Sequence, residues 1–183
     1  SRLIMEIGTR NGSSAMRMIR EGQRHHQASQ VEYFGFDLWE VLDDETLEKE
    51  FSKVALPMVE VKATLEETGA SIRLFKGFTS DTLPRAVPSM PDMDLIFIDG
   101  GHSIETIEND WRYAEQLMGD ETVVVFDDYY TGAWGRRDDV GCQSLVDWGI
   151  DRSVFHVEGL QPQDRFRREE GELRINFVRV ERQ

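Results

Sequence analysis

Short apolar runs ending in acidic or glycine residues recur along the chain: LIMEIGTRNGSS at 3–14, VEYFGFDLWE at 31–40, MDLIFIDGGHS at 93–103 and TVVVFDDYYTG at 122–132. Unbroken apolar character marks strands buried on both faces, and a parallel sheet delivers functional side chains at its carboxyl edge. Strands are therefore predicted at 3–7, 32–37, 72–76, 94–98 and 122–126. Between them, Ala15, Met16, Met18 and Ile19 recur at helical spacing and predict a helix over 13–24, opened by Ser13 or Ser14 as cap. The charged stretch 43–69 predicts two helices separated at Pro57 and stopped by Gly69, and 103–118 reads as one long helix. Repeated βα units imply right-handed crossovers and a parallel sheet. The carboxyl end differs, because LRINFVRV alternates: 153–157 and 173–180 predict an antiparallel hairpin at a sheet edge, with the polar stretch 161–172 as a loop.

Composition narrows the classes. At 183 residues and 39% hydrophobic content, one domain spanning 1–183 accounts for the chain. The formal charge of −14 removes generic attraction to a phosphate backbone, so no nucleic-acid partner is expected. Cys142 is the single cysteine, which excludes an internal disulfide framework and points to a reducing, cytoplasmic setting. No apolar run approaches the roughly 20 residues of a membrane span, and no secretory signal pattern opens the chain. The expected partner is a small molecule, with a homo-oligomer left open.

Two clusters carry candidate chemistry. In EIGTRNG the chain turns from strand to helix, where Gly8 and Gly12 permit positive φ and close approach of a ligand. Such turns also occur in α/β proteins that bind no nucleotide. Glu6 precedes the turn, and Asp37 closes the second strand, where a carboxylate can accept from both ribose hydroxyls. A dehydrogenase could place an acid there too, but its three-glycine spacing is absent. The segment looks more like the first motif of class I S-adenosylmethionine-dependent methyltransferases. The second cluster is Asp99, Asp127 and Asp128 at the ends of neighbouring strands. Their mutual repulsion would be relieved by a hard divalent cation such as Mg²⁺. The alternative is that they cap helices or pair with Arg136 and Arg137.

FKGFTSDTLP (75–84), DLIFIDGGHSIETIENDW (94–111) and VVVFDDYYTGAWGRRDDVGCQSLVDW (123–148) together resemble the macrocin O-methyltransferase family. The resemblance implies a Rossmann-like, seven-stranded, mostly parallel sheet with helices on both faces and a C-terminal antiparallel hairpin. It implies S-adenosylmethionine and Mg²⁺ as cofactors and a hydroxyl on a sugar or glycosylated natural product as acceptor. It places metal ligands at Asp99, Asp127 and Asp128, and cofactor contacts at Glu6, Gly8, Thr9, Gly12, Ser13, Asp37, Leu38, Gly77, Phe78, Thr79, Ser80, Asp99, Gly100 and His102. Two departures stand out. Family members generally carry an acid two residues after the first metal-binding aspartate, and here that position is Gly101. His102 then becomes the expected base beside Asp99, since neutral imidazole can accept a hydroxyl proton near neutral pH. The chain also opens directly on its first strand, so an N-terminal lid segment is expected to be missing. A catechol-type O-methyltransferase and a cofactor-binding domain without turnover remain alternatives.

Other conspicuous residues have plainer roles. Trp111, Tyr113 and Leu117 fall at helical spacing and are expected in the core. Tyr129, Tyr130 and Trp134 follow the acid pair and are candidates for the acceptor pocket. His25 and His26, with Arg165, Arg167 and Arg168, are expected to be solvated.

Overall fold

The computed structural model describes residues 1–50, 52–132, 139–161, 164–169 and 171–183. Its centre is β1 (Leu3–Ile7), whose five residues are all buried. The strand is flanked in parallel by β2 (Glu32–Asp37) and β4 (Met93–Ile98), and β3 (Ser71–Lys76) lies parallel beyond β2. On the other side β5 (Met118–Gly132) runs parallel to β4. Then β8 (Gly171–Arg182) pairs antiparallel with β5 and with β6 (Phe155–Gly159). The spatial order is β3-β2-β1-β4-β5-β8-β6, with β7 (Asp164–Arg168) pairing β8.

The period-two pattern of the strands divides the core between the sheet faces. Met5, Ile7, Phe34 and Phe36 pack in one cluster with Leu83 and Ala86 of α4 (Thr79–Ala86) and Ile107 and Trp111 of α5 (Ile104–Ala114). Ile4 and Tyr33 pack in the other with Ala15 and Ile19 of α1 (Ser13–Gln23) and Val61 and Leu65 of α3 (Met58–Glu66). Trp111 ties α5 to the sheet, its ring 5.7 Å from Phe126 and 5.3 Å from Phe155. Leu117 is also buried and Tyr113 packs against the same cluster, whereas His25, His26, Arg165 and Arg167 are exposed. A short helix, α2 (Asp44–Lys49), precedes Pro57, so 43–69 does hold two helices. Among the described residues no helix is long and apolar enough to cross a membrane.

Four local expectations need correction. The stretch read as a polar loop contains β7, which pairs with β8 and is joined to it by the Arg167–Glu172 ion pair at 2.8 Å. The sheet therefore has eight strands rather than seven. The cap of α1 is Gly12, at φ 75°, rather than a serine side chain. Finally, the helix expected through 118 ends at Ala114, and the following strand is much longer than 122–126. That strand continues past Phe126 because β8 supplies antiparallel partners for Tyr129 to Gly132.

Candidate functional site

The carboxyl ends of β1, β2 and β4 open onto a cavity of about 780 Å³, within the usual size of a small-molecule site. Gly8 begins its floor. At φ 96°, its amide donates to Phe36 O at 2.8 Å, and a Cβ there would lie 1.8 Å from the Asp99 carbonyl oxygen. Only glycine lets the β1 turn pass this close to the β4 turn. Asp37 organises the next wall: Oδ2 accepts from Arg10 N at 2.6 Å and Oδ1 from Trp39 N at 3.1 Å. Trp39 Nε1 donates back to Arg10 O at 3.1 Å, closing a ring between the two loops. Each Asp37 oxygen retains a lone pair for a ligand hydroxyl.

Thr9, Ser13, Leu38, Gly77, Phe78, Thr79, Ser80, Gly100 and His102 also line this cavity, as do Asp99, Asp127 and Asp128. Glu6 and Gly12 stand behind it. The Tyr33 hydroxyl donates to Glu6 Oε2 and lies 2.9 Å from Thr9 Oγ1. Burial pushes the Glu6 carboxyl up to about 8, against the pull of the Tyr33 hydrogen bond, and Oε1 is buried without a partner. Glu6 thus supports the β1 turn from beneath.

The acid pair reaches the mouth through a backbone irregularity. Pairing of β5 with β8 shifts register between Phe126 and Tyr129, and Asp128 adopts φ 60°. Such bulges re-aim side chains at the rim of a sheet. Asp128 Oδ2 lies 2.8 Å from His102 Nε2, and Oδ1 accepts from the Tyr130 hydroxyl at 2.8 Å. Burial opposes the charge on Asp128, but the hydrogen bond and charge of His102, the Tyr130 hydrogen bond and the Lys53 charge together outweigh it and hold the carboxyl below its ordinary value. Burial likewise opposes the imidazolium, yet Asp128 raises His102 above its ordinary value. Nδ1 of His102 is buried with no partner among the described residues. Asp99 is pushed up to about 7 by burial and by the neighbouring Asp127 and Asp128 charges.

The Mg²⁺ site expected at Asp99, Asp127 and Asp128 is not shown. Among the described residues no group of three His, Cys, Asp or Glu side chains is arranged to hold a metal ion. In this arrangement the acids have other partners. Both Asp128 oxygens are engaged by His102 and Tyr130, and Asp127 Oδ1 accepts from the Asp128 amide at 2.7 Å. When protonated, His102 offsets part of the negative charge that the sequence pattern assigned to a metal.

Tyr130 therefore holds Asp128 and does not line the cavity, while the Tyr129 hydroxyl donates to Asp147 at 2.8 Å. Trp134, Arg136 and Arg137 lie outside the described residues. Residues not singled out from sequence complete the walls: Lys49 at the end of α2, Lys53 after it, and Asp164 and Phe166 on β7. Phe166 is half exposed at the rim. Its signal was the Arg-Phe-Arg alternation facing Glu172, visible only once a strand pair is assumed.

A methyltransferase-domain family model matches residues 5–129. No curated protein matches the sequence. Among solved structures, the chain is similar to the O-methyltransferase TomG of Streptomyces achromogenes, involved in tomaymycin synthesis and determined with SAM. The two share 18% identity over 98% of this chain and 73% of TomG, with a TM-score of 0.62. It is similar to an O-methyltransferase of Bacillus cereus in complex with SAH, at 15% identity over 100% of this chain and 74% of that one, TM-score 0.62. An rRNA methylase of Streptococcus thermophilus matches equally well, at 12% identity, 98% and 86% coverage and TM-score 0.62. At these identities the likeness establishes the fold, which hosts more than one kind of acceptor.

Proposed function

The chain belongs to the methyltransferase-domain family, and from that premise we propose that it methylates a hydroxyl oxygen of a small acceptor with S-adenosylmethionine as donor. The observation carrying this reading is the His102–Asp128 pair at 2.8 Å, set at the opposite side of the same cavity from the Asp37 ring. One end suits a nucleoside; the other can move a proton.

The residues fit the donor. Asp37 has acceptor capacity left for a ribose diol, and the glycine turn at Gly8 and Gly100 leaves backbone rather than side chain facing the cavity. When bound, S-adenosylmethionine supplies an activated methyl on sulfonium, so the C–S bond breaks as the acceptor C–O bond forms. The chain must hold the acceptor oxygen in line, at roughly 3 Å from the methyl carbon, and remove its proton. His102 takes that proton after releasing its own to solvent, a release that the Asp128 carboxylate shifts to higher pH. Asp128 stabilises the resulting imidazolium, and Tyr130 fixes Asp128 in turn. No step is assigned to a metal.

The acceptor enters from the β7 side, where Phe166 offers an apolar face beside Asp164. A sugar ring, with an apolar face and a hydroxyl rim, suits that combination, in keeping with the macrocin-type resemblance of 75–84, 94–111 and 123–148. The test is mass-spectrometric detection of a 14-dalton (~CH₂) gain on a panel of sugars, glycosides and catechols. Methylation of a sugar hydroxyl supports the reading. Methylation of catechols alone would move the acceptor class, and cofactor binding without turnover on any diol would leave a binding domain.

A further inference from the structure

Helix α2 forms one wall of the cavity through Thr46 and Lys49, yet it buries none of its own residues. Apolar packing therefore does not explain where it sits. Its C-cap residue does: Glu50 is only 7% exposed. Glu50 Oε2 accepts from Ser103 N at 2.8 Å, and Oε1 accepts from Ser103 Oγ at 2.7 Å and Thr106 Oγ1 at 3.1 Å. Burial would favour the neutral acid, but the Ser103 and Thr106 bonds outweigh it and keep Glu50 ionised at neutral pH. Ser103 is the N-cap of α5 and directly follows His102, so the three bonds converge on the helix end that carries the proposed base. A carboxylate is also favoured there by the helix dipole.

The space for this carboxylate is made by Gly101. A Cβ at that position would stand 2.7 Å from Glu50 Oε2, 3.1 Å from Glu50 Cδ and 2.8 Å from Thr106 Cγ2. Unlike Gly8, Gly101 does not have a positive φ, so its role is room rather than backbone freedom. Any side chain at 101 would displace the Glu50 clamp.

We propose that Glu50 is a positioning residue of this site: entering the space left by Gly101, its carboxylate clamps α2 to the amino terminus of α5 and so fixes both the α2 wall and the turn bearing His102. The inference rests on reading the cavity as the cofactor and acceptor site, and its test separates the two ideas.

Hydrogen exchange is followed by mass spectrometry on the ligand-free full chain for wild type, Glu50→Ala, Gly101→Ala and the double variant. S-adenosylhomocysteine is titrated into each. Amides of α2 should exchange on the order of tenfold faster in both single variants, while those of β1 and β4 keep wild-type protection. The double variant should lose less than the sum of the two single variants, since the added methyl then meets Thr106 Cγ2 and has no carboxylate to displace. Glu50→Gln, which keeps one carbonyl acceptor, should recover part of the protection. S-adenosylhomocysteine should bind the single variants on the order of tenfold more weakly. Unchanged α2 exchange in both single variants would overturn the clamp; if Glu50→Ala does not fold, Gly101→Ala decides alone. A wild-type chain that binds no S-adenosylhomocysteine but loses α2 protection in the variants would refute the cofactor reading and leave the clamp standing.

Discussion

His102 Nε2 and Asp128 Oδ2 meet at 2.8 Å across the gap between the β4 turn and the bulge of β5. The contact joins two strand ends that the sequence separates by 26 positions (128 − 102). It replaces the bare carboxylate cluster with an ion pair, leaving Asp127 and Asp99 as the uncompensated acids. Replacing His102 with Gln should lower kcat by about 10²-fold or more while leaving S-adenosylhomocysteine affinity within about threefold. Steady-state kinetics paired with calorimetry checks this. Equal losses in affinity and turnover would make His102 a binding residue.

Asp37 should matter at the other end. Its two hydrogen bonds, at 2.6 and 3.1 Å, hold the Arg10 and Trp39 backbone in left-handed conformations, at φ 48° and 45°. Asp37→Ala should weaken S-adenosylhomocysteine binding by on the order of tenfold to a hundredfold, through lost ribose contacts and a relaxed loop pair. Asp37→Asn, which keeps an acceptor, should lose less. Titration calorimetry of both variants distinguishes these outcomes.

A pH dependence follows from Glu6. Its carboxyl is raised by burial to about 8 from an ordinary 4.5, so the native chain holds a proton that the unfolded chain has released. That contribution to stability is complete below about 4.5 and is lost as pH rises through about 8. Urea midpoints of the ligand-free chain should fall across this window. Glu6→Gln should flatten the part due to Glu6, and parallel wild-type and variant curves would contradict it. Asp110, also raised by burial to about 7, leaves some slope in the variant.

Metal removal supplies another check. Because both Asp128 oxygens are already engaged, turnover should survive exhaustive chelation and show no gain on adding Mg²⁺. Loss of activity with EDTA, restored by Mg²⁺, would mean that the His102–Asp128 pair opens to admit a cation.

Phe166 should govern the acceptor alone. Phe166→Ala removes the apolar face at the rim and should raise acceptor KM severalfold, by about 1 kcal/mol of lost contact. Cofactor affinity should be unchanged in the same variant.

The strand-end residues were legible because a parallel sheet has one carboxyl edge, and Asp37 and Asp99 sit where unbroken apolar runs stop. Gly8 was legible for a similar reason, at the tight exit from β1. Three other features were not. The re-aiming of Asp128 depends on the register shift against β8, a strand more than forty residues away in sequence (171 − 128 = 43). Phe166 was hidden because an edge strand whose ion pair to its neighbour is Arg167–Glu172 has the composition of a loop. Glu50 caps a charged helix, and nothing local in the sequence marks it off from Glu48; only the empty space at Gly101 makes it different.

The most direct test is calorimetric titration of S-adenosylhomocysteine into the folded chain, with Asp37→Ala and NAD as controls. Saturable binding that weakens in the variant and is absent with NAD is the predicted result. No binding to folded wild-type protein, or a preference for NAD, would contradict the methyl-transfer account.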